Sequence, residues 1–415
     1  MNAATASDNP VSPITNAPGR SQRLMSLDAL RGFDMFWIIG ADALVRGLRS
    51  MSDTGFTGTL ATQLEHVDWE GFRFYDLIFP LFIFIVGVST VFSLGRTIET
   101  EGRGAALKRV FRRGILIFAL GVFYSGGITN GWHEIRWMGV LNRIALAYLF
   151  GGLLFCFLRP RALAGVCAGL LIGYWALMCF VPFPDVRPTP ETQIIAKEKG
   201  FTNVTQLNMA GTNLIHGTFA KGVNLANYLD QKYLPARKYD GTWDPEGILS
   251  TIPAVATCLL GIFAGLLLQN TSVPELRKVA YLMGLGLAGV ALGWLWDLQF
   301  PVIKKIWTSS YVLVAGGYSA VLLGVFYLIV DVWKRQTWCQ PFVWIGMNSI
   351  TIYLTKNIIG DFRGLARRLA GGDVQDFLNS HVTKGFGDMV VSIVGLLLAF
   401  WFVRFLYKRK IFLRL

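Results

Sequence analysis

His66 stands in the stretch LEHVDWEGFRFYDLIFP, surrounded by Glu65, Asp68, Glu70 and Asp76. A carboxylate beside an imidazole orients the ring and raises its basicity, the arrangement a general base requires. A lone loop histidine is ordinarily inert, and it is the neighbours that single this one out. The other three histidines, His133, His216 and His381, complete no HxxxH or HxxE pattern with it, so no metal site is expected. Charge also occurs where apolar residues dominate. Arg143, with Asn142, lies in GVLNRIALAY; an arginine at such a place pairs with a carboxylate or with a ligand phosphate. Asn348, Ser349 and Lys356 form a polar stripe in PFVWIGMNSITIYLTK, for which hydrogen bonding between helices is the plainer reading.

The run LDALRGFDMFWIIGADALV carries Asp28, Arg31, Asp34 and Asp42. At about 100° per residue, taking Asp28 as zero, Arg31, Asp34 and Asp42 fall at roughly −60°, −120° and −40°. One face of this helix is polar and must turn from lipid. Asp28 and Arg31 suit an i, i+3 ion pair, and Asp42 has Arg46 one turn on.

These residues must be held by membrane helices. Hydrophobic residues make up 53% of the 415-residue chain and charged ones only 16%, with a mean hydropathy of +0.46. Soluble domains carry about 25% charged residues, so a soluble enzyme, a disordered chain and a disulfide scaffold are all excluded. The net charge of +13 gathers in short clusters at the ends of apolar runs, which points to topology rather than to nucleic acid. The five cysteines form no CxxC pair and are expected to be neither disulfides nor zinc ligands.

About ten runs are long enough to cross a bilayer: roughly 27–45, 76–95, 110–125, 138–157, 162–182, 248–268, 279–298, 309–332, 341–359 and 389–407. The third is short and the ninth is interrupted by Asn348, Ser349 and Lys356, so either suits a re-entrant or broken helix. The predicted fold is all-α and polytopic. An even count places both termini on one side, and the basic connections, among them Arg103, Lys108, Arg109, Arg112 and Arg113, make that side cytoplasmic. Residues 1–22 read as a disordered cytoplasmic tail, and 23–415 as one membrane domain with a long extracytoplasmic loop at 183–247. Asn224, Asn227, Asp230, Asp244 and Glu246, in or beside that loop, have the side-chain types that hydrogen-bond a polar acceptor. The segments GIFAG and GVALG fit close helix packing and carry no chemistry.

The blocks SLDALRGFDMFWIIGAD, HVDWEGFRFYDLIFPLFIFIVGVS, GVLNRIALAY, DPEGILSTIPAVATCLLGIFAG, WTSSYVLV and PFVWIGMNSITIYL together resemble the heparan-α-glucosaminide N-acetyltransferase family of transmembrane acyltransferases. The resemblance covers residues 24–410. It implies an enzyme that takes acetyl from cytoplasmic acetyl-CoA, a co-substrate rather than a resident cofactor, and delivers it across the membrane to the amino group of a glucosamine-type sugar. His66 matches the family's active-site histidine in the block H-x-x-W-x-G followed by D-L-x-F-P, and Arg143 the arginine of G-V-L-x-R. Asp42 falls where the lysosomal enzyme has an asparagine, and Lys356 where it has a histidine. The lysosomal form also has a luminal N-terminal domain and an extra helix. A chain of the smaller kind looks bacterial and is expected in the inner membrane.

The sequence therefore predicts His66 as general base or acyl acceptor, assisted by Asp42. Arg143, Arg109, Arg112, Arg113, Asn348 and Ser349 would hold the acyl-CoA. Asp28, Arg31, Asp34, Asp76 and Lys356 would shape the polar channel, and Asn227, Asp230, Asp244 and Glu246 would bind the acceptor. For the basic cluster, orientation alone is an equal explanation. The expected partners are acetyl-CoA, an extracytoplasmic amino sugar or glycan, and the lipid bilayer, not nucleic acid; a homodimer is compatible with the chain but not legible in it. The rival reading is a secondary transporter with Asp28, Arg31, Asp34 and Asp42 as an ion relay, although the two halves show no convincing repeat. A third, a scaffold without catalysis, makes His66 dispensable.

Overall fold

A computed structural model describes residues 24–51, 54–185, 187, 214–358, 361–370 and 372–413. The expected tail at 1–22, and residues 186 and 188–213 of the expected 183–247 loop, lie outside the described residues. The described residues are largely helical. Among them are seven helices long and apolar enough to cross a membrane, Phe74–Glu101, Val140–Phe157, Pro160–Phe180, Thr251–Gln269, Glu275–Asp297, Ser309–Val332 and Phe386–Lys408, and these make the chain an integral membrane protein.

In chain order, α1 (Met25–Phe36) runs through a wide turn at Trp37–Ala41 into α2 (Asp42–Met51), and α3 (Gly55–Gln63) follows. Next are α4 (Phe74–Glu101), α5 (Arg103–Tyr124), α6 (Val140–Phe157) and α7 (Pro160–Phe180). A two-residue antiparallel pair joins Phe183–Pro184 to Leu214–Ile215. Then come α8 (Leu225–Tyr233), α9 (Thr251–Gln269), α10 (Glu275–Asp297) and α11 (Ser309–Phe326). The last helices are α12 (Gln340–Met347), α13 (Ser349–Ile358), α14 (Phe362–Ala370), α15 (Gly372–His381) and α16 (Phe386–Lys408).

Burial sorts the spans into centre and periphery. The apolar stretches of α9 and α4 are 72% and 67% buried, against 22% for α10. The two central helices cross where neither carries a side chain. A Cβ on Gly87 would lie 2.0 Å from the Cys258 carbonyl oxygen, and one on Gly261 2.0 Å from that of Phe84. Helices already in lipid gain little from the hydrophobic effect, so close backbone contact is what holds them. The GIFAG and GVALG glycines do meet neighbouring helices: Gly265 faces Val88 and Val91, and Gly293 faces Ser310 and Val314.

Two helices are broken. At Gly40 the backbone takes φ 132°, a value glycine tolerates and other residues do not, and the Ile38 carbonyl freed nearby accepts a 2.7 Å hydrogen bond from Lys356 Nζ. This break removes Asp42 from the wheel on which Asp28, Arg31 and Asp34 lie, so the single polar face expected for the first run ends at Trp37. The second break separates α12 from α13 at Asn348, whose Nδ2 donates to the Trp344 carbonyl at 3.1 Å. The segment expected as the third span is continuous helix, with its basic residues in the first half.

Candidate active site

The loop bearing His66 is fixed at both ends. On one side Pro80, four residues beyond Asp76, has no N–H to give back, so the Asp76 carbonyl is left without its helical donor. The Tyr311 hydroxyl supplies one at 2.7 Å. On the other side the Gly71 amide donates to the Val302 carbonyl at 2.9 Å and Glu70 forms a bridge with Ile303, which joins the His66 loop to the 298–308 connection. That connection folds back through a turn in which the Trp307 amide donates to Lys304 O at 3.0 Å, with Trp307 at φ 52°.

Asp76 is consequently the centre of a small cluster. Its side chain is 1% exposed, and its Oδ1 lies 2.9 Å from His66 Nδ1 and 3.2 Å from Lys304 Nζ. Oδ2 accepts from the amides of Val67 at 3.3 Å and Arg73 at 3.2 Å. Nδ1 thus faces a buried acceptor and, at 2.9 Å, the Lys304 ammonium; a ring that points an Nδ1 proton at Asp76 has its lone pair on Nε2. The Tyr75 ring lies 4.7 Å from the imidazole, and its hydroxyl hydrogen-bonds Asp42. Asp42 also pairs with Arg46 at 2.7 Å, so it reaches His66 only by way of Tyr75.

His66 opens onto a cavity of about 840 Å³. Small-molecule sites run to about 300–1,000 Å³, so this one admits a substrate of ordinary size. Tyr75, Phe79, Tyr124, Tyr239, Trp307 and Tyr353 give it an aromatic wall, and Arg136, Arg237, Glu246, Lys304 and Lys305 a charged one; Met35, Ile38, Ser349 and Ile350 come from the two broken helices. Arg136 grips Asp244 through two 2.8 Å bonds and Glu246 Oε2 at 2.6 Å. Burial pushes the Glu246 carboxyl up, partly opposed by the arginines, whereas the Arg136 guanidinium holds Asp244 below the usual carboxylate range against the cost of its own burial. Burial also brings Asp230 to about 7, although its oxygens accept from the amides of Ile248 at 2.8 Å and Asp244 at 3.4 Å. Gly247 leaves room for that carboxylate, since a Cβ there would sit 1.9 Å from Asp230 Oδ2.

Of the residues predicted from sequence, His66, Ser349 and Glu246 line the cavity and Asp76 holds His66. Arg143 is fully buried one layer behind: its guanidinium lies 4.7 Å above the Trp307 ring and bonds Ser250. Asn348 sits beside Ser349 in the helix break. Asp28 and Arg31 form their pair at 3.2 Å, with Arg31 also donating to Ser89 at 2.7 Å. Asp34 is buried, and neither oxygen finds a hydrogen-bond partner among the described residues. Asn227, Asp230 and Asp244 are buried in the bonds that shape the loop and do not line the cavity; Asn227, for one, accepts from Gly222 N at 3.1 Å. Arg109, Arg112 and Arg113 lie along α5 from Tyr124, itself on the cavity wall, and are absent from that wall; Arg109 donates to Thr97 at 3.0 Å and Arg113 lies over Tyr148. Sequence reasoning missed Lys304, Tyr75 and Arg136. Tyr75 adjoins Asp76 in the motif and was findable, whereas Lys304 had no such signal.

Residues 23–194 match the family model described as heparan-alpha-glucosaminide N-acetyltransferase, catalytic. The chain is 26% identical to the heparan-alpha-glucosaminide N-acetyltransferase of Homo sapiens, over 98% of this chain and 62% of that protein. Against the mouse (Mus musculus) protein of the same name the identity is 26%, over 99% and 64%. The chain thus spans a little under two thirds of the length of these relatives. The resemblance drawn from the motifs is borne out, and His66, Asp76 and Arg143 fall inside the matched segment.

Proposed function

We propose that this chain, whose matched segment is that of the heparan-α-glucosaminide N-acetyltransferase family, is a transmembrane acetyltransferase that moves acetyl from cytoplasmic acetyl-CoA to the amino group of a glucosamine-type sugar or glycan on the other side. The observation that carries this reading is the His66–Asp76 pair at the wall of a substrate-sized cavity. In the direct route the neutral amine attacks the thioester carbonyl carbon, and Nε2 takes the amine proton. The C–S bond then breaks, and the CoA thiolate leaves with that proton as the thiol. In the two-step route Nε2 bonds the acetyl carbon as the C–S bond breaks and CoA leaves as the thiolate; the amine then attacks that carbon, the C–Nε2 bond breaks, and the amine proton passes by way of Nε2 to the thiolate.

Around this centre the reading assigns Ser349 and Asn348, with Arg143 behind Trp307, to the acyl arm, and Glu246 to the acceptor side. Arg109, Arg112 and Arg113 meet the CoA phosphates at the far end of α5. It also places about ten crossings with both termini in the cytoplasm of a bacterial inner membrane, counting the two broken helices and α5 beside the seven long ones.

The test is transfer of radiolabelled acetyl from acetyl-CoA by the protein in nanodiscs, with and without glucosamine, for wild type and His66→Ala. N-acetylglucosamine formed by the wild type alone supports the reading, and label that stays on the protein after CoA is removed selects the two-step route. Absence of CoA binding overturns it in favour of the transporter.

A further inference from the structure

Lys304 approaches the reactive pair from 238 residues away along the chain, on the 298–308 connection. Its Nζ lies 2.9 Å from His66 Nδ1 and 3.2 Å from Asp76 Oδ1. Burial lowers the Lys304 ammonium from the usual lysine range, and Asp76 opposes that shift. The ammonium thus touches both the ring nitrogen and the buried carboxylate oxygen, and one negative charge is matched by one positive charge with the imidazole neutral. A second proton on the ring would set two cations against a single carboxylate. The other charges at the pair are accounted for. Arg73 Nη1 points to the His66 carbonyl oxygen at 3.4 Å and lies 3.9 Å from Glu65. Arg136 is paired with Asp244 and Glu246 across the cavity, and Lys305 is paired with Asp240 at 2.9 Å. Asp68 is held by Lys221 at 2.9 Å. Among the described residues Lys304 is the one whose charged nitrogen meets both side chains of the pair.

We propose that Lys304 is a positioning residue that keeps His66 uncharged by balancing the negative charge of the Asp76 carboxylate. This rests on the acetyltransferase reading for its catalytic meaning but not for its chemistry. With Lys304→Met, Asp76 has only His66 to balance it and draws a second proton onto the ring, which leaves no free ring lone pair at neutral pH. Lys304→Arg keeps the charge and the neutral ring.

Carbethoxylation of His66 by diethyl pyrocarbonate, followed by mass spectrometry of the His66 peptide, reports the uncharged ring directly and needs no transfer activity. For the full chain in nanodiscs, the half-maximal pH of that modification is expected to rise by about 1 unit in Lys304→Met, the scale on which a neighbouring charge acts. It should stay at the wild-type value in Lys304→Arg. In the transfer assay the acid limb of the pH–rate profile should move with it, so that activity of Lys304→Met falls about tenfold at pH 6 and recovers towards pH 9. Superimposable modification curves for wild type and Lys304→Met overturn the proposal, as does an equal loss of activity at every pH. Should Lys304→Met not fold, Lys304→Gln provides the same comparison. A shifted modification curve in a protein that never transfers acetyl supports the role of Lys304 while removing the acetyltransferase reading.

Discussion

The two ends of α5 present charge in opposite ways. At its start Arg103, Lys108 and Arg112 are exposed, and the neighbouring Arg109 and Arg113 have local partners in Thr97 and Tyr148. At its end Gly121 and Tyr124 border a cavity in which Arg136 and Lys304 are each paired with a buried carboxylate. The first region holds many cations and costs the fold little, because water and headgroups solvate them. The second holds few, and each is tied to a partner without which it would be an uncompensated buried charge. Number of charges therefore says where the chain meets the membrane surface. Pairing of buried charges marks the cavity on which the proposed function rests.

The contrast is broken or sharpened by variants at each end. Asp76→Asn removes the negative charge that faces both His66 and Lys304 and puts an amide N–H donor in its place, and we expect a loss of kcat of about 10³-fold or more, by analogy with the effect of that change on other carboxylate-held histidines, measured in the transfer assay. Arg136→Met leaves Asp244 buried without its cation and should cost about 3–5 kcal/mol of stability, read by chemical or thermal unfolding in detergent. The triple change of Arg109, Arg112 and Arg113 to Gln should weaken CoA binding about tenfold in calorimetry while leaving the unfolding midpoint in place. A triple variant that unfolds as readily as Arg136→Met would erase the distinction between the two ends. The smallest effect concerns pH. Asp230, at about 7 in the folded protein, gives up stability as pH rises from the ordinary carboxylate range through 7, because folding must then hold an ionised carboxyl in a buried place. The unfolding midpoint should fall by a few degrees between pH 5 and pH 8, and Asp230→Asn should flatten that fall.

Much of this was written in local sequence. His66 and Asp76 share one motif, and their proximity needs only a tight loop before α4. The glycines of GIFAG and GVALG announce close crossings because small residues at that spacing have little other use in lipid. The polar stripe at Asn348 foretold a break in its helix. What could not be read depends on distance along the chain. Arg136 finds Asp244 108 residues later, and Lys304 reaches back further still. Nothing periodic marks such residues, since each belongs to a connection whose course is set by the helices on either side. Gly40 gave no warning either: an isolated glycine in an apolar run is as often silent as it is a break.

The bridge between Glu70 and Ile303 has a consequence for biogenesis. During synthesis at about 5–20 residues per second, His66 leaves the ribosome well before the segment that brings Lys304. Through that interval the histidine loop has no bridge partner and Asp76 no ammonium, so the nascent chain carries the His66 motif without its finished surroundings. A protein truncated between α6 and the 298–308 connection retains His66, Asp76 and Arg143 yet lacks the segment that bridges to the His66 loop. His66 can thus meet Lys304 only once α10 has been made, with α11–α16 still to follow.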